Sequence, residues 1–269
     1  MSRRFRSETR KPSSGPSRDS FVEVPVPLAE TLRNARSVAV LTGSGVSAES
    51  GVPTFRDAQT GLWERYDPMD LATPEAFERD PKLVWEWYEW RRKLVGEAKP
   101  NPAHEALAEI EKRIPDFTLI TQNVDGLHRE AGSRNVRELH GNIRRTICSK
   151  EGIVVMPENF VEGTPPRCPK CGSFLRPDVV WFGEALPAAE ISAASEAARA
   201  CEIFISAGTS SVVYPAASLP YEAMENGASV IEVNPDETPL TARADFVLSG
   251  NAGDAIPEMA RAAFPGMGL

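Results

Sequence analysis

The sequence predicts an α/β fold in which a parallel sheet is wound on both faces by helices, and three observations carry that prediction. Short apolar, β-branched runs recur along the chain, Ala/Glu-rich helical segments lie between them, and the first run passes directly into Gly43-Ser44-Gly45, as a buried parallel strand does when it feeds a phosphate-binding turn. The 269 residues are 41% hydrophobic and 25% charged, enough for one large core with a small module attached.

The elements follow in order. Residues 1–20 carry six Lys/Arg against Glu8 and Asp19 and hold no apolar stretch. They read as a disordered basic tail on a cytoplasmic protein, since a secretory signal needs an apolar core and a transit peptide avoids acids. SVAVLT at 37–42 is the first strand. Residues 57–101 are aromatic-rich and helical in pattern, with Asp80 as N-cap, Pro81 in the first turn, and Val84, Trp87, Tyr88 and Arg91 on one face. A helix follows at 102–113, with His104 at its start as a surface or capping residue. FTLIT at 117–121 is the next strand, and a further short strand precedes ELHG at 138–141. Residues 144–177 hold Cys148, Cys168 and Cys171 among turn signals and no helical period, which suits a small metal-stapled ribbon. The alternation then resumes with a helix at 188–201 and strands at 203–208, 229–234 and 245–249.

Composition excludes several classes of function. The net charge is −8, so with a tail of +4 the other 249 residues carry −12, which argues against a module that tracks nucleic-acid phosphates. No apolar run reaches the roughly 18 residues of a membrane span. Four cysteines are too few for a disulfide scaffold, and the Cys168–Cys171 pair has the spacing of a metal knuckle, so a reducing compartment is expected. Cys201, on the helix leading into the 203 strand, reads as a buried structural residue.

The segment GSGVSAESGVPTFR, Gly43 to Arg56, has the strand, glycine turn and small residues that bring backbone N–H groups up to a pyrophosphate. A strand-to-helix turn without a ligand is the alternative on this fragment alone. The acidic residue expected about 20 positions on has no counterpart, so this is not a standard dehydrogenase. TQNVDGLH at 121–128 lies at the carboxyl end of a strand, where Gln122, Asn123 and Asp125 could hold ribose hydroxyls. Of the three histidines, His128 reads as one that orders its loop. His140, past a strand and beside a glycine, is the best candidate for a general base.

Taken together and in order, GSGVSAESGVPTFR, TQNVDGLH, ELHG, CPKC, RPDVVWFGE at 176–184 and GTSSVVYPA at 208–216 resemble the sirtuin family of NAD-dependent protein lysine deacylases, over residues 35–257. The resemblance implies a Rossmann-type NAD-binding domain at 21–56, 103–143 and 178–269, a helical insertion at 57–102 and a zinc-ribbon-like insertion at 144–177. It implies NAD as co-substrate, acyl-lysine proteins or peptides as partners, and a monomer. His140 would be the general base that activates a ribose hydroxyl, with Asn123 and Asp125 ordering the reacting ribose. Gly43, Ser44, Gly45, Ala48, Glu49, Phe55, Arg56 and Gln122 would face NAD, Phe55 on a closing lid. Gly208, Thr209 and Ser210 would give a second contact, and Asn234 and Ala252 the adenosine end. Val180, Phe182, Gly183 and Glu184 would pair with substrate as an added strand. The products would be nicotinamide, the free lysine peptide and O-acyl-ADP-ribose.

Within the family, the sequence resembles the bacterial and mitochondrial members that remove succinyl and malonyl groups. Tyr88 and Arg91 lie three apart on one helix face, a phenol beside a guanidinium, and suit a carboxylate, while the small Ala72 leaves room for a longer acyl chain. The plainer reading has Tyr88 packing and Arg91 ion-paired with Glu89 or Asp80. Two departures from the family pattern stand out. Glu151 occupies the place of the fourth zinc cysteine, so a Cys148–Glu151–Cys168–Cys171 site and a metal-free ribbon are both open. Ser44 replaces an alanine, a small-for-small change that leaves NAD binding possible. ADP-ribosyl transfer to a protein on the same fold is the alternative activity, against which the intact His140 argues; a non-catalytic NAD-binding module would predict decay of a set that is complete.

Overall fold

The structure is a computed structural model that describes residues 22–52 and 66–268; the basic tail and the expected NAD-facing Phe55 and Arg56, with the lid, lie outside the described residues. In chain order the strands are β1 (Ser37–Thr42), β2 (Asp116–Thr121), β3 (Val136–Glu138), β4 (Gly141–Cys148), β5 (Leu175–Val179), β6 (Ile203–Ala207), β7 (Ser229–Asn234) and β8 (Phe246–Ser249). The helices are α1 (Val26–Asn34), α2 (Ser44–Ala48), α3 (Pro68–Leu71), α4 (Pro74–Arg79), α5 (Pro81–Glu97), α6 (Pro102–Glu111), α7 (Leu127–Glu130), α8 (Ala188–Ala200), α9 (Leu219–Glu225) and α10 (Ala252–Ala263). None is long and apolar enough to cross a membrane.

Six strands form a sheet in the order β3-β2-β1-β6-β7-β8, every neighbouring pair parallel. Set aside β4 and β5, and this is the doubly wound Rossmann-type order, in which the winding reverses between β1 and β6. Alternation along β1 builds the two cores. Val38 and Val40 pack with Leu28 and Leu32 of α1, Leu107 and Ile110 of α6, and Ile256 and Met259 of α10. Ala39 and Leu41 face the other way, onto Ala194 and Ala198 of α8 and Leu219 and Ala223 of α9. Burial of each Val, Leu, Ile or Met among these is worth about 1.5–3 kcal/mol. The flanking helices α1 and α10 had no counterpart among the sequence expectations.

The interruptions at 57–102 and 144–177 join each other. Asp80 caps α5 by accepting from the Leu83 amide at 3.0 Å, and the face that carries Val84, Trp87 and Tyr88 is buried against Ile143 of β4 and Trp181. Arg92 pins the same helix to β4, donating to the carbonyls of Ile143 (2.6 Å) and Arg145 (2.9 Å). β4 and β5 pair antiparallel in a separate two-stranded sheet. Segment 176–184 is extended through Val179 and then turns, with the Glu184 amide donating to the Trp181 carbonyl at 3.0 Å.

Candidate active site

The polar residues singled out in the sequence converge at the carboxyl ends of the parallel strands, around the β1/β6 reversal. Two glycine loops cross there. The Gly45 amide donates to the Gly208 carbonyl at 2.8 Å. Gly208 has φ +57, and a Cβ on it would sit 2.5 Å from the Val46 nitrogen, so the close approach demands glycine. Ser44 and Ala48 lie on α2, the single turn that starts from this crossing.

Gln122 and Asn123 leave the end of β2 and tie the loops together. Gln122 donates from Nε2 to Thr209 Oγ1 at 3.0 Å. Asn123 Nδ2 donates to the Gly43 carbonyl (3.0 Å) and to Ser47 Oγ (3.1 Å). Asn234, at the end of β7, donates to the Thr209 carbonyl at 2.8 Å. Glu49 accepts from the Gly253 amide at 2.7 Å, joining the end of α2 to the start of α10 beside the buried Ala252. Ser210 is exposed and its neighbour Ser211, at φ 56, has a buried hydroxyl without a hydrogen-bond partner among the described residues.

Asp125 is buried and accepts from the Leu127 amide at 2.8 Å, starting α7; burial pushes its pKa up, opposed by that hydrogen bond and one from Ser47. His140 follows β3. Its Nδ1 lies 2.9 Å from the Gln122 carbonyl, and because a carbonyl only accepts, the proton sits on Nδ1 and the lone pair on Nε2. Burial pushes the pKa of His140 below the ordinary imidazole value, with the Gln122 bond in partial opposition. The ring is therefore neutral at pH 7 with a base outward. Gly141 holds the next turn at φ +79, where a Cβ would meet the Asp178 carbonyl oxygen at 2.2 Å.

A layer of polar residues lies beneath the site, and its Thr42 and Thr121 were not singled out in the sequence. Thr42 Oγ1 lies 2.8 Å from Thr121 Oγ1 and 2.9 Å from His128 Nε2, and the His128 and His104 rings meet tilted at 50°, their centroids 4.7 Å apart. His104 completes a capping box with Asn101, as a capping residue should, but it is fully buried rather than on the surface. The signal was present: Leu107 and Ala108, three and four positions on, share its buried helix face.

The second group of expected residues lines the side toward the insertions. Ala72, Tyr88 and Trp181 are buried within one cluster. The Phe182 amide donates to the Ala72 carbonyl at 2.9 Å and the Val180 amide to the His140 carbonyl at 3.0 Å, so this wall is tied directly to the histidine. Phe182 and Gly183 are exposed. Glu184 turns inward, its carboxylate on Arg176 at 2.6 and 2.9 Å. The Arg91 guanidinium lies 5.2 Å over the Trp87 ring. Glu89, offered as its ion-pair partner in the plainer reading, takes Arg92 at 2.6 Å. Asp80 is the cap of α5.

The ribbon gathers Cys148, Cys168 and Cys171, their Sγ atoms within 4.8 Å of one another. That spread fits thiolates about 2.3 Å from one zinc ion. Among the described residues the group holds these three alone: the Glu151 carboxylate accepts from Lys170 Nζ at 3.0 Å, while its amide donates to Cys148 Sγ at 3.4 Å. Cys201 is buried elsewhere, its thiol donating to the Ala198 carbonyl at 3.2 Å.

Comparison with known proteins places this arrangement. The Sir2 family model matches residues 43–215. The chain is 52% identical over 229 residues to an NAD-dependent protein deacylase of Aquifex aeolicus (strain VF5), covering 83% of this chain and 93% of that protein. Among solved structures it is similar to the crystal structure of a Sir2 homolog–NAD complex, with TM-score 0.83, 48% identity, and 90% of this chain and 94% of that one covered. It is also similar to a structure of Sir2 bound to acetylated peptide, with TM-score 0.76, 31% identity, and 87% and 94% covered.

Proposed function

The chain belongs to the Sir2 family, and from that premise we propose that it is an NAD-dependent protein lysine deacylase that prefers the acidic succinyl and malonyl groups to acetyl. One observation carries the chemistry: a neutral imidazole, His140, anchored through Nδ1 on the Gln122 carbonyl beside Asn123 and Asp125 at the strand ends. The site suits NAD because the glycine crossing brings backbone to the reversal point of the sheet and because the buried Ser211 hydroxyl has no partner among the described residues.

When bound, NAD supplies an electrophilic anomeric carbon and nicotinamide as leaving group. The protein's share is orientation and proton transfer. Asn123, held by Gly43 and Ser47, and Asp125, held at the start of α7, orient the ribose. His140 Nε2 takes a proton from a ribose hydroxyl. Gly43, Gly45, Gly208, Thr209 and Ser210 form the nucleotide side, Asn234 and Ala252 the adenosine end. On the acyl side, Tyr88 and Arg91 face the carboxylate of a dicarboxylic acyl chain, with Ala72 leaving it room. The amides of Val180 and Phe182 are already committed, so pairing with a substrate peptide falls to Gly183 and the carbonyl side of the segment. Cys148, Cys168 and Cys171 would hold a structural zinc. Thiols grouped for a metal support a reducing, cytoplasmic setting.

The test is mass-spectrometric deacylation of one peptide carrying acetyl-, succinyl- or malonyl-lysine, with and without NAD. His140→Ala should cost about 10²–10⁴ in rate on every acyl group. Arg91→Met should lower kcat/KM for the acidic groups alone by roughly tenfold or more, the value of a charge-assisted hydrogen bond. If no acyl group is released and ADP-ribose appears on protein, ADP-ribosyl transfer replaces this reading.

A further inference from the structure

Trp181 is buried against Tyr88, and its indole Nε1 lies 3.0 Å from the Tyr88 hydroxyl. An indole N–H can only donate, so the phenol oxygen is the acceptor in this bond and the phenol proton must point elsewhere. A tyrosine without such a neighbour can offer either a proton or a lone pair to a ligand. Tyr88 is left as a donor, and an ionised carboxylate is a pure acceptor.

The indole is itself gripped. The Arg176 guanidinium carbon lies 3.2 Å from the Trp181 ring centroid. Arg176 forks onto both Glu184 oxygens at 2.6 and 2.9 Å and donates to the Val179 carbonyl at 2.8 Å. Glu184 closes the loop by accepting from the Trp181 backbone amide at 2.8 Å. Phe77 packs against the indole with centroids 5.2 Å apart. These contacts account for the inward turn of Glu184, and they fix the indole N–H on one target.

We propose that Trp181 is a positioning residue for acyl selectivity: its hydrogen bond polarises the Tyr88 hydroxyl into a donor aimed at an acidic acyl group, and the Arg176–Glu184 fork holds the indole in register. The inference rests on the reading of Tyr88 and Arg91 as the acyl-carboxylate site. Burial pushes the Tyr88 pKa up to about 12, so the phenol keeps its proton across the working range of pH.

The experiment measures kcat and KM with succinyl-lysine and acetyl-lysine forms of one peptide and saturating NAD, using the full chain as wild type, Trp181→Phe, Tyr88→Phe and the double variant. Trp181→Phe should lower the succinyl-to-acetyl ratio of kcat/KM about tenfold, through a raised KM for the succinyl peptide. The double variant should be no less selective than Tyr88→Phe alone, because without the hydroxyl there is nothing to orient. Equal losses on both peptides, or losses of selectivity that multiply in the double variant, overturn the proposal. A wild type with no preference for the succinyl peptide defeats the acyl-carboxylate reading itself, whereas a preference that survives Trp181→Phe defeats the positioning role alone. Should Trp181→Phe melt below the assay temperature, Glu184→Gln, which loosens the fork and keeps the indole, should shift the ratio in the same direction; an unchanged ratio overturns the proposal.

Discussion

Two imidazoles share the interior under the site, and neither can take a proton cheaply. Burial pulls His104 down to about 4 and His128 well below its ordinary value. Unfolded, both would bind a proton near pH 6.5. Between that value and the folded one the unfolded state holds more protons, so stability is full above about pH 6.5 and falls on acidification toward pH 4. For His104 the loss between pH 7 and pH 5 should be on the order of 2 kcal/mol, and His128 adds to it in the same direction. Urea unfolding at the two pH values measures it, and His104→Gln should flatten the slope; a slope that the substitution leaves unchanged would place the effect elsewhere. His140 obeys the same physics with a different readout. Its pKa lies below 6.5, so kcat/KM should be flat near pH 7 and drop along an acid limb whose midpoint is under that value. A limb centred above 6.5 would show that burial does not control the ring. At this scale the sequence was legible where a residue type announces chemistry, as His140 beside Gly141 does. It was less legible for His104, because capping and burial are separate properties and the Asn101-Pro102 signal speaks only to the first.

At the scale of elements, strands on the large sheet were readable because burial on both faces leaves continuous apolar runs. β5 and the turn after it were not. The run from Leu175 to Phe182 has the composition of one strand, yet the Ala72 carbonyl and the Glu184 carboxylate draw the amides of Phe182 and Trp181 away from any ladder. Those competing acceptors lie in the link between α3 and α4 and just past the following turn, where local pattern cannot see them. The ribbon illustrates the reverse case, three cysteines forecast together and found together. It has few buried apolar side chains of its own, chiefly Val155 and Leu175 against Trp85, so a metal cross-link would add much to its stability. Purified protein should contain about one zinc per chain, and Cys168→Ser should remove it and lower Tm by more than about 5 °C. Metal-free protein whose Tm ignores that substitution would show that packing alone suffices.

For the whole molecule, the parallel, doubly wound class of the large sheet, though not its strand order, followed from the glycine turn after β1 together with the alternation of strands and helices. The mutual packing of the two interruptions did not. A helical face such as Val84–Trp87–Tyr88 states that something covers it, and only the fold shows that Ile143 and Trp181 do. Trp181 thus reaches Tyr88 from a stretch that looked independent of the helical insertion in one dimension.

The parallel pairing of β1 with β6 has a consequence for how the chain is made. Val38 lies opposite Ile203, so the central strand waits for a partner some 165 positions later, behind both interruptions. On a ribosome, the first half-sheet of β1, β2 and β3 emerges with one edge of β1 bare, and Gly45 has no Gly208 to meet. The ribbon, local in sequence, can close in the meantime. Contacts of such long separation are slow to form. The nucleotide cleft therefore cannot close before β6 has emerged, and a nascent chain stalled before β6 carries His140 and the cysteine knuckle with no crossing beside them.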